Sequence, residues 1–192
     1  MELAEQQANT MLAAQQHDGS NFRALHSTQI GMIRWMQGQM DGAEDHFLAA
    51  RREHPDQLFW AASLAWLWLN QGRRESAEAI LRSFPSLGQL PRDRYWLPTL
   101  TVLAEIARVS GTREHAQELR TLLLPFEDRL VPVGVGVAFW GPVARPPGLL
   151  EEHLGLHAEA RRHLELAVEM SARIGALAWH CEAQIELAEF AI

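Results

Sequence analysis

Apolar residues recur along this chain at helical spacing in short blocks, and each block ends on glycine or proline. Ala43, Phe47 and Ala50 fall at i, i+4 and i+7, one buried stripe of a helix. Gly38 ends the helix before them, because a helix C-terminus favours a residue that tolerates a left-handed backbone. Asp41 and Glu44 have the spacing of a capping box that starts the partner helix. Pro55 stops the stripe, since its ring and missing N–H cannot continue a helix. Thirty-four residues on, the set returns as Gly72, Ala77, Leu81 and Phe84, with Pro85 just after. Gly31 lies one heptad before Gly38, where two helices must cross closely.

The pattern predicts helices over Glu2–Gln16, from Ser20 or Asn21 to about Gln37, and then Leu58–Gln71, Ser76–Phe84, Asp93–Ser110 and Arg113–Leu124. A fourth pair carries Gly148, Gly155, Ala160, Leu164 and Ala167, and a last helix covers about Ala176–Ile192. Pro146 and Pro147 would break a helix interior, so they predict a helix start there instead. The turn glycines Gly38, Gly72, Gly111 and Gly155 stand 34, 39 and 44 residues apart. The added residues fall between units, chiefly in 125–145, whose Val131–Trp140 stretch is rich in Gly and Val. Connections of that length are uncommon and often functional, so this one reads as packed filler or as a mobile gate. The chain begins on a lone helix and closes on Glu-Phe-Ala-Ile, an apolar ending expected of an excised piece or of a surface that a partner covers.

A period near thirty-four residues with small residues at fixed offsets resembles tetratricopeptide repeats, stacked helix–turn–helix units. The second half is similar to the C-terminal helical segments of large bacterial signalling proteins, LuxR-type ATPase regulators and nucleotide cyclases. That likeness is carried by Asp93–Leu97, Leu103-Ala104-Glu105, Leu122–Pro125, Gly141–Arg145, Gly148–Leu150 and Ser171–Ala176, in that order. The resemblance implies an all-α, right-handed α-solenoid in one domain, 1–192. Its units would be 22–57, 58–92, 93–130 and 141–174, with half-units 1–20 and 175–192. It also implies an interaction or sensing role, with cyclase, ATPase or DNA-binding activity elsewhere in a parent protein.

Composition narrows the chemistry. The net charge is −7, which leaves no footprint for nucleic acid or an anionic membrane surface. All 17 basic residues are Arg, so a Walker A lysine and a Schiff-base lysine are both excluded in this chain. Cys181 is the single cysteine, which permits no internal disulfide and predicts a cytoplasmic setting. On a helix it is expected to be a small buried apolar residue.

In such arrays the first helix of each unit lines the inner face. That mapping nominates Met32, Trp35, Met36, Phe59 and Trp66, an aromatic and Met-rich strip. It adds Glu105, Arg108, Arg145, Glu152, His153, Trp179, His180 and Glu186 towards the other end. Glu105 and Arg108 have i, i+3 spacing and read as a salt bridge. Glu151-Glu152 reads as a solvated helix face, and Arg145 as a structural residue beside the Pro-Pro step. His153 and His157 are four apart, with His163 further on, but Gly155 breaks the helix between the first two. No nearby Cys or HExxH pattern supports them, so neither a metal nor another cofactor is expected. The favoured function is a non-catalytic module docking a partner protein or a domain of its parent in the groove, with a homodimer through the last helix also open. The alternative is a sensor whose Trp-lined groove takes a small apolar effector and is gated by 125–145. A third is an enzyme using Glu105, Glu152, His153 or His180 as acid or base.

Overall fold

The computed structural model describes residues 2–13, 20–39, 43–84, 86–110, 112–133, 136 and 138–190. Among them are ten α-helices: α1 (Glu2–Ala13), α2 (Ser20–Met36), α3 (Ala43–Glu53), α4 (Leu58–Asn70), α5 (Arg74–Ser83), α6 (Trp96–Ser110), α7 (Arg113–Leu123), α8 (Arg145–Leu154), α9 (His157–Arg173) and α10 (Leu177–Glu189). The boundaries follow local chemistry. After Gly72 the backbone N–H of Arg73 donates to the Trp68 carbonyl, and after Gly155 that of Leu156 donates to the Glu151 carbonyl. Both are the closing bond of a helix that ends through a left-handed residue, φ +76° and +78°. Pro146 and Pro147 occupy the first turn of α8, where no N–H is needed. The turn at Gly111, the cap at Asp41 and Pro85 lie outside the described residues.

Helices adjacent in sequence pack against each other, and α4, α6 and α8 also pack side by side. The result is an inner row of α4, α6 and α8, with α5 and α7 packed beside it. α4 is apolar nearly all round and is buried from Phe59 through Leu67 except for the half-buried Ala61. The outer helices are one-sided: α5 buries Ala77, Ile80 and Leu81, and α7 buries Ala116, Leu119 and Leu123. Among the described residues no helix is long and apolar enough to cross a membrane.

The fold is mostly helical, with one correction. Segment 125–145 contains an antiparallel pair, β1 (Leu130–Val133) and β2 (Ala138–Pro142). Pro132 stands opposite Phe139 and Val133 opposite Ala138, with an irregularity between Leu130 and Pro132. β1 alternates exposed and buried, sending Val131 and Val133 into the core, as a half-buried strand must. β2 buries Trp140, Gly141 and Pro142. β1 packs against α6, and β2 touches α2 and α9.

Candidate functional site

Starting α8 on Pro146 pins Arg145 at the head of that helix, where its side chain is 5% exposed. Its Nε and Nη2 donate to the two oxygens of Glu186 at 2.8 and 2.6 Å, a bidentate fork. Its Nη1 donates to Glu105 Oε1. Both carboxylates are nearly buried, at 9% and 7% exposure. Arg108 comes within 4.0 Å of Glu186, so the Glu105–Arg108 bridge expected from i, i+3 spacing is replaced by longer-range pairs. Burial alone would lower the Arg145 pKa, but Glu105 and Glu186 outweigh it and hold the guanidinium above its ordinary value. Burial pushes the Glu186 carboxyl up, against the pull of Arg145, and the negative charge of Glu105 adds to the rise.

Indoles wall this ionic floor. Trp35 meets Trp66 edge-on at 5.7 Å between ring centroids and Trp179 at 5.0 Å. The Arg145 guanidinium lies 5.5 Å from the Trp179 ring centroid. Together they bound a cleft of about 300 Å³ that Asn70 and Glu182 also line. Trp140 stands 4.9 Å from Trp66, and its buried indole N–H has no hydrogen-bond partner among the described residues. Gly141 is what lets β2 approach so closely: a Cβ there would sit 3.0 Å from Trp179, at φ +85°.

On the other side of Trp179 lies a second chamber of about 430 Å³ between α1, α2, β2 and α10. Met32 and Met36, one turn apart, face this chamber, while Trp35 faces the cleft. Of the nominated residues, Trp35, Trp66, Glu105, Arg108, Arg145, Trp179 and Glu186 therefore meet around the cleft. Phe59 does not: it is core, stacked on Tyr95 at 5.3 Å. Glu152 is exposed, His153 is half-buried, and His180 shares its Nδ1 with the Val168 carbonyl on α9, so these three join no common site.

Two further expectations are corrected. Glu151 is fully buried rather than solvated. It falls on the apolar stripe of Pro147, Leu150 and Leu154, a signal readable once the α8 start is fixed. It accepts from Arg120 Nε at 2.7 Å and pairs with His163 Nδ1 at 2.5 Å. The other ring nitrogen of His163 lies 2.6 Å from Glu127, which also binds Arg162. Cys181 is exposed, because α10 buries the stripe Trp179, Ala183 and Glu186 and Cys181 falls off it. Among the described residues no group of three or more His, Cys, Asp or Glu is arranged to hold a metal ion. No protein-family model matches this chain, and no curated protein matches it significantly.

Proposed function

We propose that the chain is a non-catalytic regulatory module, a right-handed solenoid of tetratricopeptide-like units from a bacterial signalling or transcription regulator, whose Trp-walled cleft takes a small effector. The observation that carries this is the convergence of Trp35, Trp66, Glu105, Arg145 and Trp179, from five different helices, on one concave site. A ligand there would lay a flat or apolar body on the indoles and a polar group on the charged floor. A regulatory rather than catalytic role is supported by the lining: among the described residues it holds no Ser, Thr, Cys, His or Lys, and both buried carboxylates are engaged by Arg145.

Intrinsic tryptophan fluorescence and thermal unfolding against a metabolite panel test the reading. The expected result is a saturable one-site signal that Trp35→Ala weakens at least tenfold while circular dichroism keeps its helical form. No stabilising compound across a broad panel, or a hit indifferent to Trp35→Ala, refutes it.

Docking of a protein partner is a second reading, supported by apolar side chains left in water at Leu177 (75% exposed) and Ile185 (55%) on α10. A double Leu177→Asp, Ile185→Asp variant should abolish self-association in sedimentation if that surface joins two copies.

A further inference from the structure

The chamber of about 430 Å³ beside Trp179 is chemically unlike the cleft. None of its fourteen lining side chains is Asp, Glu, Lys, Arg or His, in a chain where 21% of residues are charged. Among the described lining residues, Gln7 and Gln29 are the only polar side chains other than the Trp179 indole. Five alanines keep the space open, and Met11, Met32 and Met36 supply flexible, polarizable walls that reshape around irregular apolar bodies. Phe139 and Trp179 close one side, 6.3 Å apart in an edge-to-face pair.

From this lining we propose a second binding site, specific for an uncharged apolar small molecule such as a medium-length hydrocarbon chain or a pair of fused rings. A charged group laid on this lining would lose part of its hydration shell and meet no counter-charge among the described lining residues, which disfavours ions of either sign. Its size suits a small molecule. The volume falls within the roughly 300–1,000 Å³ usual for ligand sites. The two sites divide the labour of α2 and α10, which send Met36 and Leu177 to one chamber and Trp35 and Glu186 to the other. The inference does not rest on the cleft having a ligand.

The test uses the whole chain and a neutral dye, N-phenyl-1-naphthylamine, titrated by fluorescence with 1-decanol and decanoate as competitors. Expected are one saturable site per chain, displacement by decanol, and at least tenfold weaker displacement by decanoate. Ala178→Trp should fill the chamber, and Met36→Glu, at a position already 42% exposed, should place a carboxylate at its mouth without disturbing the core. Each should weaken dye binding at least tenfold, while Glu78→Gln on α5 leaves it unchanged. Absence of saturable binding overturns the proposal, as does binding that both chamber variants leave intact. Equal competition by decanoate overturns the uncharged class. Dye binding that vanishes on dilution together with a dimer overturns the single-chain site.

Discussion

Replacing Arg145 by Met removes the one cation that both Glu105 and Glu186 contact directly, and Met is close enough in size to leave no large void. Each carboxylate was attracted by about 4 kcal/mol, taking ~4 Å between charge centres and an effective dielectric of ~20. Losing one member of a buried ion pair costs about 3–5 kcal/mol, because the remaining charge stays in a poor solvent. Arg108, 4.0 Å from Glu186, offsets a fraction of this, so about 3–5 kcal/mol in total is expected near neutral pH. The sign with pH is fixed. Without Arg145 the Glu186 carboxyl, already raised by burial, loses the charge that opposes that rise, so the variant loses stability as pH climbs above 4.5 and recovers as pH falls. Urea unfolding followed by circular dichroism at about pH 5 and about pH 8 should therefore show a larger loss at the higher pH. The triple variant Arg145→Met, Glu105→Gln, Glu186→Gln should regain most of the loss, since neutral groups bury at far less cost. A single-variant loss under about 1 kcal/mol, equal losses at both pH values, or a triple variant no better than the single would refute a buried ionic floor.

Gly148→Ala would bring a Cβ to 2.9 Å from Leu164 Cγ and 3.3 Å from the Ala160 carbonyl oxygen, and Gly31→Ala to 2.6 Å from the Phe47 ring. Both should destabilise by about 1–3 kcal/mol in urea melts, although Ala is the better helix former. Burial alone would lower His163, but Glu151 and Glu127 raise it above 6.5 against the opposing charge of Arg162. A histidine raised on folding contributes its stability in full below 6.5 and loses it as pH climbs through the folded value. The melting temperature should therefore fall from about pH 6 towards about pH 9, and His163→Asn should flatten that slope. Cys181, being exposed, should react with a thiol reagent at full stoichiometry in the native state; protection until unfolding would contradict its placement.

Local chemistry was legible in the chain and distant pairing was not. The turns after Gly72 and Gly155, the Pro146 start of α8 and the close approach at Gly31 each depend on a few neighbouring residues. Arg145 finds its partners 40 and 41 residues away, across α6 and α10, and no spacing rule reaches that far. The short-range rule favoured Glu105 with Arg108 because it knows only one helix. The hairpin was written in plain composition, β-branched residues alternating with glycine, but a period tuned to helices reads such a stretch as connection. Tryptophans resisted sorting for another reason: an indole wall and an indole core have the same sequence signature, and Trp66 is both, 4% exposed yet lining the cleft.

The hairpin shapes what the helices leave accessible, lining the apolar chamber with Ala138 and Phe139. The inner row by itself would present Phe59 and Trp66 as an open strip, the arrangement expected of a docking groove. Trp140 covers that strip, lying 6.5 Å from Phe59 and 4.9 Å from Trp66, while Val131 and Val133 complete the burial. The cleft and the chamber share Trp179, against which Gly141 brings the strand backbone into contact. One side inherits the buried charges of α6, α8 and α10, the other the methionines of α1 and α2. The irregular insertion thus lends Ala138 and Phe139 to one of two unlike, small-molecule-sized sites that share Trp179, a difference that sequence periodicity cannot encode.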